Sequence, residues 1–122
     1  IGARQMRLGI MPPARILSNR LTSAILSLYC HTRIQDSQSG YRAYSLPLVT
    51  SLGLRTDRFE MESEAILRVC ASANPLRFVP IQTVYCASTS HISHLADTLR
   101  WVKTVVAVHR EIRATGHRTP SA

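Results

Sequence analysis

Asp36-Ser37-Gln38-Ser39-Gly40-Tyr41-Arg42-Ala43-Tyr44 sets a carboxylate, an amide, a small-residue break and a guanidinium within seven positions, between two segments with helical spacing. Ser39-Gly40 is turn chemistry: glycine reaches φ > 0 at no steric cost, and serine bonds its own backbone. An elbow with an acid before it and an arginine after it builds a polar pocket. It equally builds an ordinary loop in which Asp36 and Arg42 pair with each other.

Upstream, Met11-Pro12-Pro13 is a break whose second proline suits the first turn of a helix. Residues 14–29 then carry Ile16, Leu17, Leu21, Ala24, Ile25 and Leu28 on one broad face, and Arg15, Asn19, Thr22 and Ser23 on the other. This predicts an amphipathic helix with the leucines inward. Arg15 and Asn19 stand one turn apart, as a solvated face or as half of an anion site. Before the break, Ile1-Gly2-Ala3-Arg4 reads as a strand end.

Downstream, Pro47–Leu52 reads as a short helix stopped by Gly53. Asp57 is a plausible N-cap for a helix over 59–73 with Met61, Ala65, Ile66, Val69, Cys70 and Ala73 on its apolar face. Glu60 and Glu64 point the opposite way, with Glu64 poised to pair with Arg68 at i,i+4. Glu62 falls in the apolar stripe instead. A carboxylate there must cap its own helix, form an ion pair with a core-facing arginine, or open into a cleft as a functional group. Asn74-Pro75 ends this helix. Residues 76–85 alternate with β character, and Pro80 demotes them to an edge or irregular strand. Cys86–Ser93 is a small-residue polar loop. Its His91, with His94, suits hydrogen bonding to a phosphate better than metal ligation. Residues 97–114 form a last helix with Trp101, Val102, Val105, Val106, Val108 and Ile112 inward and His109 in the same stripe. Residues 115–122 read as a disordered tail.

The order strand end, helix, loop, helix, strand, helix marks an α/β chain with too few strands for a self-sufficient doubly wound sheet. Its 122 residues fit one small domain. Beginning at Ile1 rather than Met, it reads as a fragment or processed product. No run of about 18 apolar residues is present. A net charge of +8 favours an anionic partner. Arginine far outnumbers lysine, of which Lys103 is the sole example, and arginine suits bidentate phosphate binding. Cys30, Cys70 and Cys86 form no CxxC pair, which argues against a zinc site or a disulfide framework and for core filling in a reducing compartment.

Six stretches, taken in order, resemble the C-terminal half of family 2 glycosyltransferases, in particular the branch of dolichyl-phosphate mannose synthase and bacterial polyprenyl-phosphate glycosyltransferases. Ile1-Gly2-Ala3-Arg4 resembles the strand-end GSR. Met11-Pro12 with Arg15, Asn19 and Ser23 resembles the following helix. Ile34-Gln35-Asp36 to Tyr44 resembles I.DSQSGFRAY, with Tyr41 for the usual Phe. Phe59–Glu64 resembles FE.E.E, Val79–Tyr85 resembles VPI.TVY, and Ser90-His91 with Asp97–Arg100 resembles SH followed by D.LR. Together they cover residues 1–101.

The resemblance implies the C-terminal, acceptor-side part (1–114) of a GT-A, Rossmann-like domain. It implies inverting transfer of a sugar from a UDP- or GDP-sugar to a polyprenyl- or dolichyl-phosphate lipid, peripherally at the cytoplasmic membrane face. Arg4 and Arg15 would bind the acceptor phosphate, with Asn19 or Ser18 assisting. Asp36, Gln38, Ser39 and Arg42 would form the loop beneath sugar and phosphates. Glu62 takes the place of a catalytic Asp, with Asp36 beside it in the catalytic set. His91 and Arg100 would contact the donor pyrophosphate. The family holds that pyrophosphate with a divalent metal, Mg or Mn, on an Asp-x-Asp motif. No such motif occurs in this sequence, so the resemblance places the metal ligands in an N-terminal half or partner chain and implies no catalysis by these residues alone. Asp97–Trp101 departs from the family's QxxRW in its first residue, and Ala73-Asn74-Pro75 stands where the family often has glycine. The composition alone also fits a basic anion-binding module for nucleic acid or anionic membrane, or a non-catalytic remnant.

Overall fold

The computed structural model describes residues 1–57, 59–84 and 94–115. The chain is mixed α/β and mostly helical. Its order is β1 (Gly2–Arg4), α1 (Pro13–Cys30), α2 (Leu46–Leu52), α3 (Phe59–Ala71), β2 (Val79–Ile81) and α4 (His94–Ala114). β1 and β2 form a two-stranded parallel sheet in the register Gly2↔Val79, Ala3↔Pro80 and Arg4↔Ile81. On the other edge of β1, the Gly2 N–H donates to the Tyr41 carbonyl at 2.8 Å, which lays the 36–44 loop against the strand. The strand expected over 76–85 is thus three residues long. Its exposed Val79 and Pro80 fit the edge position that the proline dictates.

Pro13 opens α1 and the left-handed His31 (φ 49°) closes it. Pro47 lies in the first turn of α2, and Gly53 (φ 57°) stops it as expected. α3 ends two residues earlier than its spacing suggests, because Ala73 turns left-handed (φ 56°) ahead of Pro75. The junction at Arg58, on which the Asp57 cap depends, lies outside the described residues, as does the 116–122 part of the tail.

The core forms where α1, α3 and α4 meet, around Leu26, Cys30, Ile34, Ile66, Leu67, Val105 and Val108. Trp101 packs against it and donates its indole N–H to Ser63 Oγ at 2.8 Å. Arg68 ties α3 to α4, reaching Glu64 at 2.8 Å and Glu111 at 3.2 Å.

Two expected faces are kept only in part: Ile16 of α1 and Ala65, Ile66 and Val69 of α3 are buried as expected. In α1 the leucines point outward: Leu17, Leu21 and Leu28 are 69%, 60% and 77% exposed. Asn19, Ser23, Leu26 and Cys30 point inward. The cause is hydrogen bonding. Asn19, Ser23 and Ser27 repeat every fourth residue, which aligns them in one row on a helix, and that row binds the 34–38 loop. Ser23 Oγ accepts the Ser37 N–H at 3.0 Å and Ser27 Oγ accepts the Ile34 N–H at 2.9 Å. In α3, Glu60 and Glu64 are buried, whereas Met61 is 41% exposed. Each buried carboxylate has a cationic partner: Arg100 at 3.6 Å from Glu60 and Arg68 from Glu64. Glu64 also accepts the backbone N–H groups of Arg55 and Thr56 and the Thr56 hydroxyl, so it organises the turn before α3. The expected Glu64–Arg68 pair is present.

Candidate functional site

The 36–44 loop is built from the inside by Asp36, which is fully buried. Its Oδ2 accepts the Arg4 Nε at 2.8 Å and the Arg4 backbone N–H at 3.1 Å. Its Oδ1 accepts Arg4 Nη2 at 2.9 Å, Asn19 Nδ2 at 2.6 Å and the Gln38 N–H at 3.2 Å. Burial pushes the carboxyl pKa up, but the Arg4 and Asn19 hydrogen bonds outweigh it and hold the group below its usual value. A carboxylate with five donors is not available to a substrate. Asp36 is therefore a positioning group, in contrast to the catalytic role the resemblance implies. Asn19, expected to assist at the phosphate, is buried and bonded to Asp36 and Ser23.

Arg42 does not pair with Asp36. Its guanidinium donates to three carbonyls: Ser39 at 2.7 Å through Nε, Ser37 at 2.8 Å through Nη2 and Glu62 at 2.7 Å through Nη1. The rigid fork of arginine suits this task, stapling two points of the loop to α3. Ser39 is buried, and its Oγ accepts the Tyr41 N–H at 3.4 Å. Gln38 is exposed and donates to Ser18 Oγ and Thr22 Oγ1 of α1.

Glu62 faces this stapled loop. Its Oε1 lies 3.8 Å from where a Cβ on Gly40 would sit, at ordinary contact distance from the loop. It is half-buried, and among the described residues no side chain donates to it. Burial raises its pKa, and the charges of Arg42 and Arg4 offset only part of that rise. Of the three sequence readings, an ion pair with a core-facing arginine is not made among the described residues. A helix-start carboxylate that also opens toward the loop is.

The sign of the shift gives a testable result. Because the folded pKa is raised, ionisation works against the fold: Glu62 favours folding below its unfolded value, and that contribution is lost as pH rises through the folded value. Glu62→Gln is expected to raise the urea midpoint at pH 7 and to converge with the wild type near pH 4. A lower midpoint at pH 7 would show that the carboxylate is held by an ion pair.

Arg15 is half-buried in the first turn of α1. Arg100 joins Glu60 and Asp97 beside a groove of about 420 Å³ that also has Arg55, Thr56 and Thr104 on its walls. His91 lies outside the described residues. Among the described residues no three acidic, histidine or cysteine side chains are placed to hold a metal ion, and no helix is long and apolar enough to cross a membrane. Sequence reasoning missed Arg4 as the partner of Asp36. It also missed the inward row of Asn19, Ser23 and Ser27, whose four-residue spacing was visible.

The chain is 34% identical over 90 residues to an uncharacterized protein of Methanocaldococcus jannaschii. The match takes in 70% of this chain and 37% of that protein, so the chain spans well under half the length of the curated relative it matches. No protein-family model matches the chain, and no solved structure matches it.

Proposed function

We propose that this chain is the acceptor-side part of an inverting GT-A glycosyltransferase that moves a sugar from a UDP- or GDP-sugar to a polyprenyl- or dolichyl-phosphate lipid. The observation that carries the reading is Glu62: a half-buried carboxylate with a raised pKa, set against a glycine and a loop immobilised by Arg4 and Arg42. A group left in that state beside a rigid loop is what a site needs and a core does not.

In the proposed reaction an oxygen of the lipid phosphate attacks the anomeric carbon. The new C–O bond forms as the bond to the nucleoside diphosphate breaks, with inversion. The attacking phosphate is already an anion, so Glu62 orients groups and removes no proton. Arg4 and Arg15 supply cationic donors for the acceptor phosphate, while Asp36 and Asn19 fix the direction of Arg4. Gln38 and Arg42 define the loop below the sugar. Arg100 is assigned to the donor pyrophosphate; His91, given the same role by the resemblance, lies outside the described residues. A divalent cation on that pyrophosphate would be held by another segment or chain, since the described residues offer no ligand set for it. Peripheral attachment at the cytoplasmic face of a membrane is supported by α1. Its outward row of Leu17, Leu21 and Leu28 is accompanied by Arg15 and Arg20, and no acidic residue precedes Asp36 in the sequence.

The test is transfer of labelled sugar to polyprenyl phosphate in anionic vesicles, from UDP- and GDP-sugars, by this chain joined to its donor-binding segment. Arg15→Ala is expected to lower transfer by about 10–100-fold, the loss of one or two charge-assisted bonds, with most of the effect in the KM for lipid. Absence of any lipid-linked label across both nucleotide classes would overturn the proposal.

A further inference from the structure

The first turn of α3 carries two carboxylates in different surroundings. Glu62 faces the 36–44 loop. Glu60 lines the groove of about 420 Å³ that has Arg100 and Thr104 of α4 on its far wall. Glu60 is only 4% exposed, yet among the described residues no hydrogen bond reaches its carboxylate. Arg100 Nε stands 3.6 Å away, an ion pair longer than a hydrogen bond. Glu64, one turn later and equally buried, shows the contrast: it accepts two backbone N–H groups, a hydroxyl and the Arg68 Nε. Arg100 is spared too. It lies 3.7 Å from Asp97, and among the described residues neither its guanidinium nor the half-buried Thr104 hydroxyl makes a hydrogen bond. Arg100 and Thr104 are one turn apart, so they share a face of α4.

A carboxylate that buried costs free energy without donors, and a ligand that brings donors removes the cost. The chemistry of the walls narrows the ligand. Beside Glu60 a second anion is repelled, and an ammonium meets the Arg100 guanidinium. A neutral ring of hydroxyls escapes both penalties. Each hydroxyl donates to a carboxylate and accepts from a guanidinium or a threonine. The volume lies in the range of small-molecule sites and admits a hexose.

We propose that Glu60 is the specificity-determining residue for the transferred sugar, accepting hydroxyls of a neutral hexose whose phosphate end lies toward Arg100. The inference rests on the transferase reading and narrows it: hexoses are taken and hexuronic acids are refused. Glu60 and Glu62 feel each other's charge across the start of α3, which brings the groove to the edge of the loop site.

The test is calorimetric titration of the full chain at pH 7 with α-hexose 1-phosphates, with inorganic phosphate and a hexuronic acid 1-phosphate as comparisons. A neutral hexose 1-phosphate is expected to bind about 10-fold tighter than phosphate, the gain from hydrogen bonds to a charged group. The hexuronic acid form should bind no tighter than phosphate. Glu60→Gln should remove most of the hexose gain, relax the refusal of the uronic acid and leave phosphate affinity unchanged. A residue that only supported the fold would move all three affinities together. If no hexose 1-phosphate binds the wild-type chain more tightly than phosphate, the proposal is overturned without any variant. A preference that Glu60→Gln leaves intact overturns it as well. Either result alongside transfer of sugar to lipid would sink this inference and keep the transferase reading. A preference that depends on Glu60, without transfer, would keep sugar selection and sink the transfer.

Discussion

Asp36→Ala is expected to cost the fold about 3–5 kcal/mol, the range for removing one partner of a buried ion pair. The size follows from what is left behind. Five donors lose their acceptor, among them Nε and Nη2 of Arg4 and the buried Asn19 amide. Small domains are stable by roughly 5–15 kcal/mol, so the variant would sit near the folding threshold. Urea denaturation at pH 7 checks this, with Gln38→Ala as the exposed comparison within about 0.5 kcal/mol of wild type. A loss below about 1 kcal/mol for Asp36→Ala would mean that Arg4 finds another anion. Acid should act on the same point. The folded pKa values of Asp36 and Glu64 are depressed, so the stability they contribute is present above their unfolded values, near 4, and is lost as pH falls through the folded ones. Glu62 works in the opposite direction.

Leu26→Ala is expected to cost about 2–5 kcal/mol, and Leu21→Ala less than about 0.5 kcal/mol. Leu26 is fully buried in the core formed by α1, α3 and α4, and its truncation leaves a cavity among Ile66, Leu67 and Val105. Leu21 is 60% exposed on the opposite side of the same helix. Paired urea midpoints decide which face of α1 is the core face. Equal losses would mean that the helix is turned the other way.

That face is also where sequence reasoning failed, for a definite reason. Counting apolar residues assigns Leu17, Leu21 and Leu28 to the interior. The interior of this helix instead has to satisfy a loop, and the row Asn19, Ser23 and Ser27 supplies oxygens to the loop's backbone N–H groups and the amide to Asp36. The polar row outweighs leucine burial because an unsatisfied buried polar group costs about as much as burying a leucine gains. Helix positions were legible from punctuation by Pro13, Pro47, Gly53 and Asn74-Pro75, which act locally. The irregular placement of Glu62 against its helix was legible too. The partners of Asp36 and Arg42 were not, because Arg4 lies 32 residues before Asp36 and the Glu62 carbonyl 20 after Arg42. Spacing along the chain carries no record of such pairs.

The parallel pairing of β1 with β2 also has a consequence in time. Thr83 of the segment after β2 donates to the Gln5 carbonyl across 78 residues of chain, whereas Ser23 reaches Ser37 across 14 and Asp36 is clamped by Asn19 across 17. Closing a long segment costs more chain entropy than closing a short one, and contacts between distant residues form late for that reason. The α1–loop unit is therefore expected to assemble first, with α3 and α4 following through bridges spanning 38 and 43 residues. The sheet, which pairs Gly2 with Val79, is expected to close last, around a loop whose shape is by then already decided.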